Sequence, residues 1–256
     1  MNVIAIETTG PFASVAIIND NNDLEEIMGD EKMNHLKNVV PMIQTLLDRN
    51  DLGLEDVDMI AVSRGPGSFT GIRIGVSTAR ALSQATGIPV MAVPTLAAFG
   101  CGEGEEGELV CPLLDARRSQ VYAGAYRDFE EVVTGGPYML DEFLEKLEPY
   151  NNILFVGDGL GPYEERVQAW AEAHGKTYRC EEVYQSAGNV AEYALDLLAA
   201  VEEGELPAEE VLLPYDKVEP NYMRMAEAER NRLAKEQGRT REEANEGFGP
   251  ETEVKP

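Results

Sequence analysis

Residues 61–75 read AVSRGPGSFTGIRIG, a glycine-rich stretch whose flanking patterns indicate the fold class. An apolar run over residues 58–63 leads into it, and the pattern after it predicts a long helix over residues 70–86. A buried strand, a glycine turn and a helix in this order are typical of α/β proteins. Glycines before a helix leave backbone N–H groups free to face an anion, which makes Gly67 and Ser68 candidate cofactor-binding residues.

The glycine stretch does not match the two common phosphate-binding fingerprints. A Walker A loop requires a lysine, and residues 61–75 contain none. The Rossmann pattern requires a glycine three residues after its second glycine, whereas Gly71 follows Gly67 by four. The alternative is a tight turn and a helix with a surface of small residues, suited to close packing or to a protein interface. We favour this alternative, and direct nucleotide contact stays open.

Two short apolar runs near the N-terminus, Val3–Glu7 and Ala13–Ile18, predict a β-hairpin. At its bend, Glu7 and Thr8 are candidate phosphate and Mg²⁺ contacts, because an acid and a hydroxyl beside backbone amides are the groups required. The other interpretation of these residues is an ordinary polar turn. After the hairpin, apolar residues at helical spacing predict an amphipathic helix over residues 34–50.

An interior linker separates two similar halves of the chain. Residues 102–108, GEGEEGE, carry the linker signal, and a second glycine turn follows at residues 157–159. The alternation of strand and helix patterns predicts an α/β fold with mixed sheets and flanking helices, in two lobes over residues 1–102 and 103–230. Residues 231–256 are charged and nearly free of large apolar side chains, which predicts an acidic, disordered tail.

The charge of the chain is strongly negative, with 47 acidic and 21 basic residues and a net charge of −26. Direct, tight contact with nucleic acid is disfavoured, because such affinity comes from Lys and Arg displacing phosphate counterions. The acids are scattered along the sequence. This favours a generally acidic, solvated surface over a patch made for one basic partner.

Cysteine usage and hydropathy indicate the compartment. The three cysteines are odd in number and form no C-x-x-C pair, so neither a disulfide framework nor a zinc site is expected. The N-terminus has no signal-peptide pattern, and no apolar run reaches the roughly 18–20 residues that span a bilayer. These features predict a cytoplasmic protein without a membrane segment.

The residues that usually carry catalysis do not form a set. The two histidines, His35 and His174, are not spaced to hold a metal, and Ser68 has no G-x-S-x-G elbow around it. Arg117 follows Asp115 in a turn of the second lobe, where it either faces the cleft between the lobes or forms a local ion pair. We therefore predict no catalytic residue, no metal ligand and no enzymatic activity of the chain alone.

The stretch over residues 61–75 closely resembles the signature of the TsaB family, also called YeaZ. Weaker matches extend the resemblance over about residues 1–230. They include Ile4-Ala5-Ile6-Glu7-Thr8, His35, Asp115-Ala116-Arg117-Arg118, Gly157-Asp158-Gly159 and Pro220-Asn221-Tyr222-Met223-Arg224.

The resemblance implies a two-lobed, actin-like (ASKHA) fold and a role in making threonylcarbamoyladenosine beside the anticodon of tRNA. Members of the family resemble the catalytic subunit, TsaD, and serve as its required partner, and a P-loop ATPase, TsaE, joins them. TsaD holds a metal with a histidine pair on the helix that matches residues 34–50, where this chain has only His35. A homodimer in the absence of the partner and contact with tRNA only through TsaD are further expectations.

The resemblance also implies which surface pairs with the TsaD-like subunit, namely the two long helices of the first lobe. The partner-binding residues expected there are His35, Leu36, Val39, Val40, Ile43, Gly71, Ile72, Ile74, Gly75 and Thr78. On this basis Gly75→Leu is expected to block pairing and leave the fold intact. No cofactor of the chain's own is expected, with ATP or ADP at the interface with partners as the alternative; Glu7, Thr8, Gly67, Ser68 and Arg117 are then the cofactor-binding candidates.

One departure from the family pattern bears on nucleotide binding. The family usually has Asp where this chain has Glu7, and the longer side chain would shift a water-mediated metal contact. The alternatives to a partner subunit are an ASKHA-fold, nucleotide-binding ATPase and a degenerate glycoprotease-like metallopeptidase. ATP turnover by the purified chain alone would favour the first, and the missing histidine pair argues against the second.

Overall fold

A computed structural model describes residues 1–30, 35–117 and 119–223 of the protein. The strands are β1 (Asn2–Glu7), β2 (Ser14–Asn19), β3 (Leu24–Met28), β4 (Met59–Ser63), β5 (Val90–Val93), β6 (Leu109–Asp115), β7 (Gln120–Arg127), β8 (Glu130–Met139), β9 (Asn152–Val156), β10 (Thr177–Glu181) and β11 (Leu212–Leu213). The helices are α1 (His35–Arg49), α2 (Phe69–Thr86), α3 (Thr95–Cys101), α4 (Leu140–Lys146), α5 (Leu160–Ala173), α6 (Ala187–Glu202) and α7 (Ala208–Val211).

The first lobe is built on a six-stranded sheet in the order β11-β5-β4-β1-β2-β3. β1 runs antiparallel to β2 and parallel to β4, with Ile4 opposite both Ile17 and Ile60. Side chains alternate across a strand, and both faces of β1 are apolar. Ile4 and Ile6 pack with the core under α1 and α2, whereas Val3 and Ala5 pack with α6 on the other face. A sheet that is apolar on both faces requires helices on both sides.

The second lobe repeats the plan of the first. Its five-stranded sheet has the order β10-β9-β6-β7-β8, which places β6 and β7 where the first sheet has β1 and β2. In each lobe a hairpin is followed by a helix, a parallel strand, a glycine turn and a second helix. The core of this lobe is formed mainly by the inner face of its sheet with α4 and α5. The predicted α/β fold, with two lobes built on mixed sheets and flanking helices, is confirmed.

The predicted limits of the lobes require a correction. The change of sheet does fall between α3 and β6, but the chain does not stay in the second lobe up to residue 230. α6 packs on β1 and β2, β11 pairs with β5, and Val218 is buried in the core of the first lobe. The reason is the second apolar face of the first sheet, which α6 covers with Ala187, Val190, Ala191 and Ala194.

Some predictions fall on residues that the structure does not describe, and some observed strands were not predicted. The tail predicted over residues 231–256, the start of the first helix at Asn34, and Arg118 lie outside the described residues. Strands β8 and β10 were not predicted; they form the two edges of the second sheet. Within the described ranges, no helix is long and apolar enough to cross a bilayer.

Candidate functional site

Two surfaces of the molecule are candidate sites, and the first is a cleft of about 610 Å³ between the lobes. Its walls are the turn after β1, the glycine segment before α2, the turn after β6, and the last described residues, 221–223. Gly67, Ser68 and Arg117 line this cleft, and their role as cofactor-binding residues stays a prediction. Glu7 and Thr8 do not belong to its walls.

The carboxylate of Glu7 is turned inward. The side chain is 1% exposed, and it accepts hydrogen bonds from the backbone N–H of Thr9 and from the Thr9 hydroxyl at 2.7 Å. Behind it, the hydroxyls of Ser63 and Thr95 are 2.6 Å apart. Burial raises the pKa of Glu7, and hydrogen bonds from Thr9 and Ser63 oppose the shift. Glu7 is therefore a buried part of the turn, which corrects its assignment as a cofactor contact.

Thr8 and the glycines of α2 hold the helix against the end of β1. The Thr8 hydroxyl donates a hydrogen bond to the carbonyl of Gly71 at 2.8 Å. A Cβ at Gly71 would collide with the carbonyl oxygen of Thr8, and one at Gly75 would collide with the Thr8 hydroxyl. At Gly67, whose φ is +152°, a Cβ would lie 2.6 Å from the carbonyl oxygen of Thr9. These contacts lie inside the lobe, so Thr8 is a packing residue and not a cofactor contact.

Two of the N–H groups at the start of α2 are used within the protein. The N–H of Ser68 donates to the carbonyl of Thr9 at 2.8 Å, and the N–H of Gly71 donates to the Ser68 hydroxyl at 3.2 Å. An anion at this helix N-terminus would have to compete with both hydrogen bonds. This part of the cleft is therefore a weaker anion site than the glycine pattern indicates.

The second-lobe wall of the cleft carries acids beside its arginine. Asp115 is exposed and accepts a hydrogen bond from the backbone N–H of Arg117 at 2.7 Å. Asp158 accepts one from the backbone N–H of Asp115 at 3.1 Å. Burial raises the pKa of Asp158, and the charge of Asp115 adds to the shift. In the described residues, no group of three or more His, Cys, Asp or Glu is arranged to hold a metal ion.

Sequence reasoning missed Gln185, which also lines the cleft. The residue is 3% exposed, and its Oε1 is buried without a hydrogen-bond partner in the described structure. Gln185 lies just before α6, more than a hundred residues from the glycine segment. No local pattern marks it, because only the return of the chain to the first lobe brings it there.

The second surface is a shallow groove of about 510 Å³ on α1 and α2. Val40 is its most exposed apolar residue, at 58%. Ile74 and Thr78 are half-buried beside it, and the Thr78 hydroxyl donates to the carbonyl of Ile74 at 2.8 Å. That hydrogen bond satisfies the hydroxyl within the helix. The groove is lined by Val40, Thr70, Arg73, Ile74, Ser77, Thr78, Ala81 and Leu82.

Comparison with known proteins relates this geometry to a family. A family model described as TsaD, tRNA N6-adenosine threonylcarbamoyltransferase, matches residues 30–157. The "tRNA threonylcarbamoyladenosine biosynthesis protein TsaB" of Bacillus subtilis strain 168 is 30% identical over 241 residues, which cover 90% of this chain and 96% of the relative. The chain belongs to the TsaB family.

Other TsaB relatives agree with this assignment. The Escherichia coli K12 protein of the same name is 34% identical over 140 residues, which cover 53% of this chain and 59% of that protein. Among solved structures, YeaZ from Pseudomonas aeruginosa has a TM-score of 0.63 at 27% identity and covers 86% of this chain and 99% of its own. The resemblance to the TsaB family that the sequence carries is confirmed.

The partner-binding residues expected from the TsaB resemblance divide into three groups. Val40, Ile74 and Thr78 line the groove, so a partner could reach them, and their role stays a prediction. The side chains of His35 and Leu36 lie outside the described part of the structure. The remaining five are buried in the lobe's own structure: Val39, Ile43, Gly71, Ile72 and Gly75.

Burial of these five residues corrects their assignment as partner contacts. Val39, Ile43 and Ile72 belong to the core under the first sheet, where a partner could not touch their side chains without opening the lobe. Gly71 and Gly75 face Thr8 of the same chain. The expectation that Gly75→Leu leaves the fold intact is therefore wrong, because the added side chain would overlap the end of β1.

Proposed function

We propose that this chain is a non-catalytic partner subunit for the threonylcarbamoylation of tRNA, required together with a TsaD-like subunit and a TsaE-like ATPase. Its relatives are named for threonylcarbamoyladenosine biosynthesis. The observation that carries the proposal is the apolar groove on α1 and α2, where Val40 is 58% exposed beside Ile74 and Leu82. An exposed apolar surface between two helices suits a partner that also presents helices.

The cleft supports the non-catalytic part of the proposal. The acid at the end of β1, Glu7, is buried and bonded to Thr9, so it does not face the cleft, where a substrate would lie. The start of α2 already uses N–H groups of Ser68 and Gly71 internally. Asp115 and Asp158 on the opposite wall would repel a phosphate that has no cation beside it. These features favour a scaffold over an ATPase.

In this proposal, nucleotide and tRNA are bound mainly by the partner subunits. We propose no cofactor for the chain alone; ATP or ADP, if required, would lie at the interface with the TsaD-like subunit. Gly67, Ser68 and Arg117 remain the cleft residues that such a nucleotide could contact. The net charge of −26 opposes tight binding of tRNA to this subunit by itself, so contact with tRNA would come mainly through the partner.

The decisive experiment is reconstituted threonylcarbamoyl transfer to tRNA. The assay would combine a TsaD-like subunit, a TsaE-like ATPase and the carbamoyl-adenylate-forming enzyme, with and without this chain. We expect modification only when the chain is present, and no ATP hydrolysis by the chain alone. Modification at full rate without it would refute the proposal, and ATP turnover by the purified chain would favour the ATPase alternative.

Substitution at the groove tests the proposed interface. Val40→Ser should weaken binding of the TsaD-like subunit roughly tenfold, because a contact worth about 1.5 kcal/mol of apolar burial is lost. Ser and Val have similar helix propensities, so the melting temperature should change little. Phe129→Ser is the matched control, since Phe129 is 61% exposed in a turn of the other lobe. Equal binding by both variants would exclude this groove as the interface.

Without its partner, the chain would pair with a second copy through the same groove. An apolar surface that is self-complementary about a twofold axis can form a homodimer. Sedimentation velocity should then show a dimer that Val40→Ser weakens and that the TsaD-like subunit disrupts. A dimer unaffected by both would have to use another surface.

A further inference from the structure

Helix α2 differs in charge from the rest of the molecule. Its 18 residues include Arg73 and Arg80 but no Asp or Glu, in a chain with 47 acidic residues. The arginines that pair with carboxylates in the described structure are Arg49, Arg166 and Arg179, all on other elements. Within residues 1–30, 35–117 and 119–223, no carboxylate side chain therefore forms an ion pair with an arginine of α2.

The two arginines lie in a groove on the outer side of α2, adjoining the apolar groove. This arginine groove has a volume of about 420 Å³ and is distinct from the cleft between the lobes. The last described segment of the chain forms one wall with Pro220 and Tyr222. The groove is lined by Arg73, Val76, Ser77, Arg80, Ala81, Gln84, Pro220 and Tyr222.

The described contacts that hold Arg73 in place come from the aromatic side chains of Phe69 and Tyr222. Its guanidinium lies 4.0 Å from the centre of the Phe69 ring, and its Nε donates a hydrogen bond to the Tyr222 hydroxyl at 3.0 Å. Tyr222 packs on Phe69, with ring centres 4.6 Å apart. The backbone N–H of Asn221 donates to the carbonyl of Arg64 at 2.7 Å, which anchors this segment on the glycine turn. The remaining donors of Arg73 are thus pre-positioned for an acceptor.

We propose that the arginine groove receives carboxylate side chains of the protein partner that covers the apolar groove. The inference rests on the proposed function and adds the chemistry of the partner surface: an apolar strip flanked by Asp or Glu residues that reach Arg73 and Arg80. Arginine is suited to this because its planar fork binds a carboxylate through two hydrogen bonds. Charge complementarity also guides association and excludes partners that present basic residues at this position.

A protein carboxylate fits the groove better than an RNA phosphate. A protein that binds nucleic acid through surface charge can make about 6–10 phosphate contacts, whereas this groove presents two arginines. The net charge of −26 would repel a polyanion at long range. A short-range carboxylate contact next to an apolar strip is less affected, because the apolar contact contributes to binding and excludes water from the pair.

The test compares variants in binding to the TsaD-like subunit by calorimetry, at low and at high salt. Arg80→Glu should weaken binding at least tenfold at low salt and reduce the salt dependence of the affinity. Lys146→Glu is the matched control, because it makes the same change of charge at an exposed position of α4 in the other lobe. The control should bind within about twofold of the unmodified protein.

A second variant keeps both arginines and guards against misfolding. Gln84 lies four residues after Arg80, on the exposed side of α2, so Gln84→Glu supplies a carboxylate that pairs with Arg80 within the chain. This should weaken binding several-fold and change the melting temperature little, because the new ion pair offsets the unfavourable position of an acid in the last turn of α2.

The outcomes separate this inference from the proposed function. Failure of the unmodified chain to bind the subunit would count against both. Normal binding by Arg80→Glu and Gln84→Glu would overturn the carboxylate contact and leave the partner role intact. A loss confined to binding of tRNA, with protein binding unchanged, would make RNA the occupant and also overturn the inference.

Discussion

The two lobes share one topology but use the turn after their first strand in different ways. In the first lobe the turn after β1 buries its acid, Glu7, against Thr9 and packs tightly on α2. In the second lobe the turn after β6 leaves Asp115 exposed on the wall of the cleft. The repeated fold therefore places an acid at the equivalent position of each lobe, whereas local packing determines whether that acid faces solvent.

The largest expected difference between the lobes concerns the first turn of their equivalent helices, α2 and α5. Gly71→Ala should destabilise the protein by about 3 kcal/mol, because the new Cβ would collide with the backbone of Thr8. The matched change in α5, Gly161→Ala, meets no atom within 4 Å and should be neutral or stabilising by up to about 1 kcal/mol. Urea denaturation measures both, and equal effects would contradict the difference in packing.

A smaller loss in the free energy of unfolding is expected from a substitution at Glu108, where the linker joins the second lobe. Glu108 is 4% exposed and accepts two hydrogen bonds from Arg179, at 3.1 and 2.7 Å. Glu108→Gln should cost about 1 kcal/mol in the free energy of unfolding, since Arg179, which is 43% exposed, keeps only its second acidic partner, Glu181. Glu106→Gln changes an exposed acid of the same linker and is the control. A cost below that of the control would mean that the ion pair does not stabilise the lobe.

The same ion pair predicts a pH dependence. Hydrogen bonds from Arg179 lower the pKa of Glu108 below its ordinary value of 4.5. The folded state therefore holds the proton less tightly than the unfolded chain, and the ion pair contributes its full stability above pH 4.5. This contribution should be lost as the pH falls through the lowered pKa. Denaturation curves between pH 3 and pH 6 should show the loss, and Glu108→Gln should remove it.

The smallest expected effect on stability comes from Glu7, in the buried turn of the first lobe, and its pH dependence is opposite in sign to that of Glu108. Burial raises the pKa of Glu7 above 4.5, so the folded state holds its proton more tightly and loses stability as the pH rises from 4.5 through the raised pKa. Glu7→Gln mimics the protonated acid and should be more stable than the unmodified protein at pH 8 but not at pH 4. Asp115→Asn should show no such gain, and a gain as large as that of Glu7→Gln would contradict the contrast between the turns.

Much of the fold could be predicted from patterns along the chain. The strand, glycine turn and helix around residues 61–75 were recognisable because glycine and apolar periodicity are local signals. The edge strands β8 and β10 were missed because their burial is only partial, which weakens the apolar pattern. The role of α6 was missed because its small residues match a face of β1 and β2 that lies far away in the sequence.

The candidate site shows the same division more sharply. The apolar stripe on α1 predicts that one face of the helix is buried. The pattern does not show whether that face packs in the core or against a partner, since both surfaces are apolar. The structure places Val39 and Ile43 inside and Val40 outside, so of these three expected partner contacts only Val40 is accessible. Likewise, small residues on α2 indicated close packing, and the structure identifies the partner as Thr8 of the same chain.

The sequence by itself determined the α/β class, the strand–glycine–helix unit and the family, because these depend on residue type and spacing over short stretches. Three features became visible only in the folded chain: Glu7 is buried, α6 returns to the first lobe, and Arg73 and Arg80 of α2 pair with no acid among the described residues. The physical reason is that burial and charge pairing depend on contacts between distant residues. The Thr8–Gly71 hydrogen bond, for example, joins positions 63 residues apart.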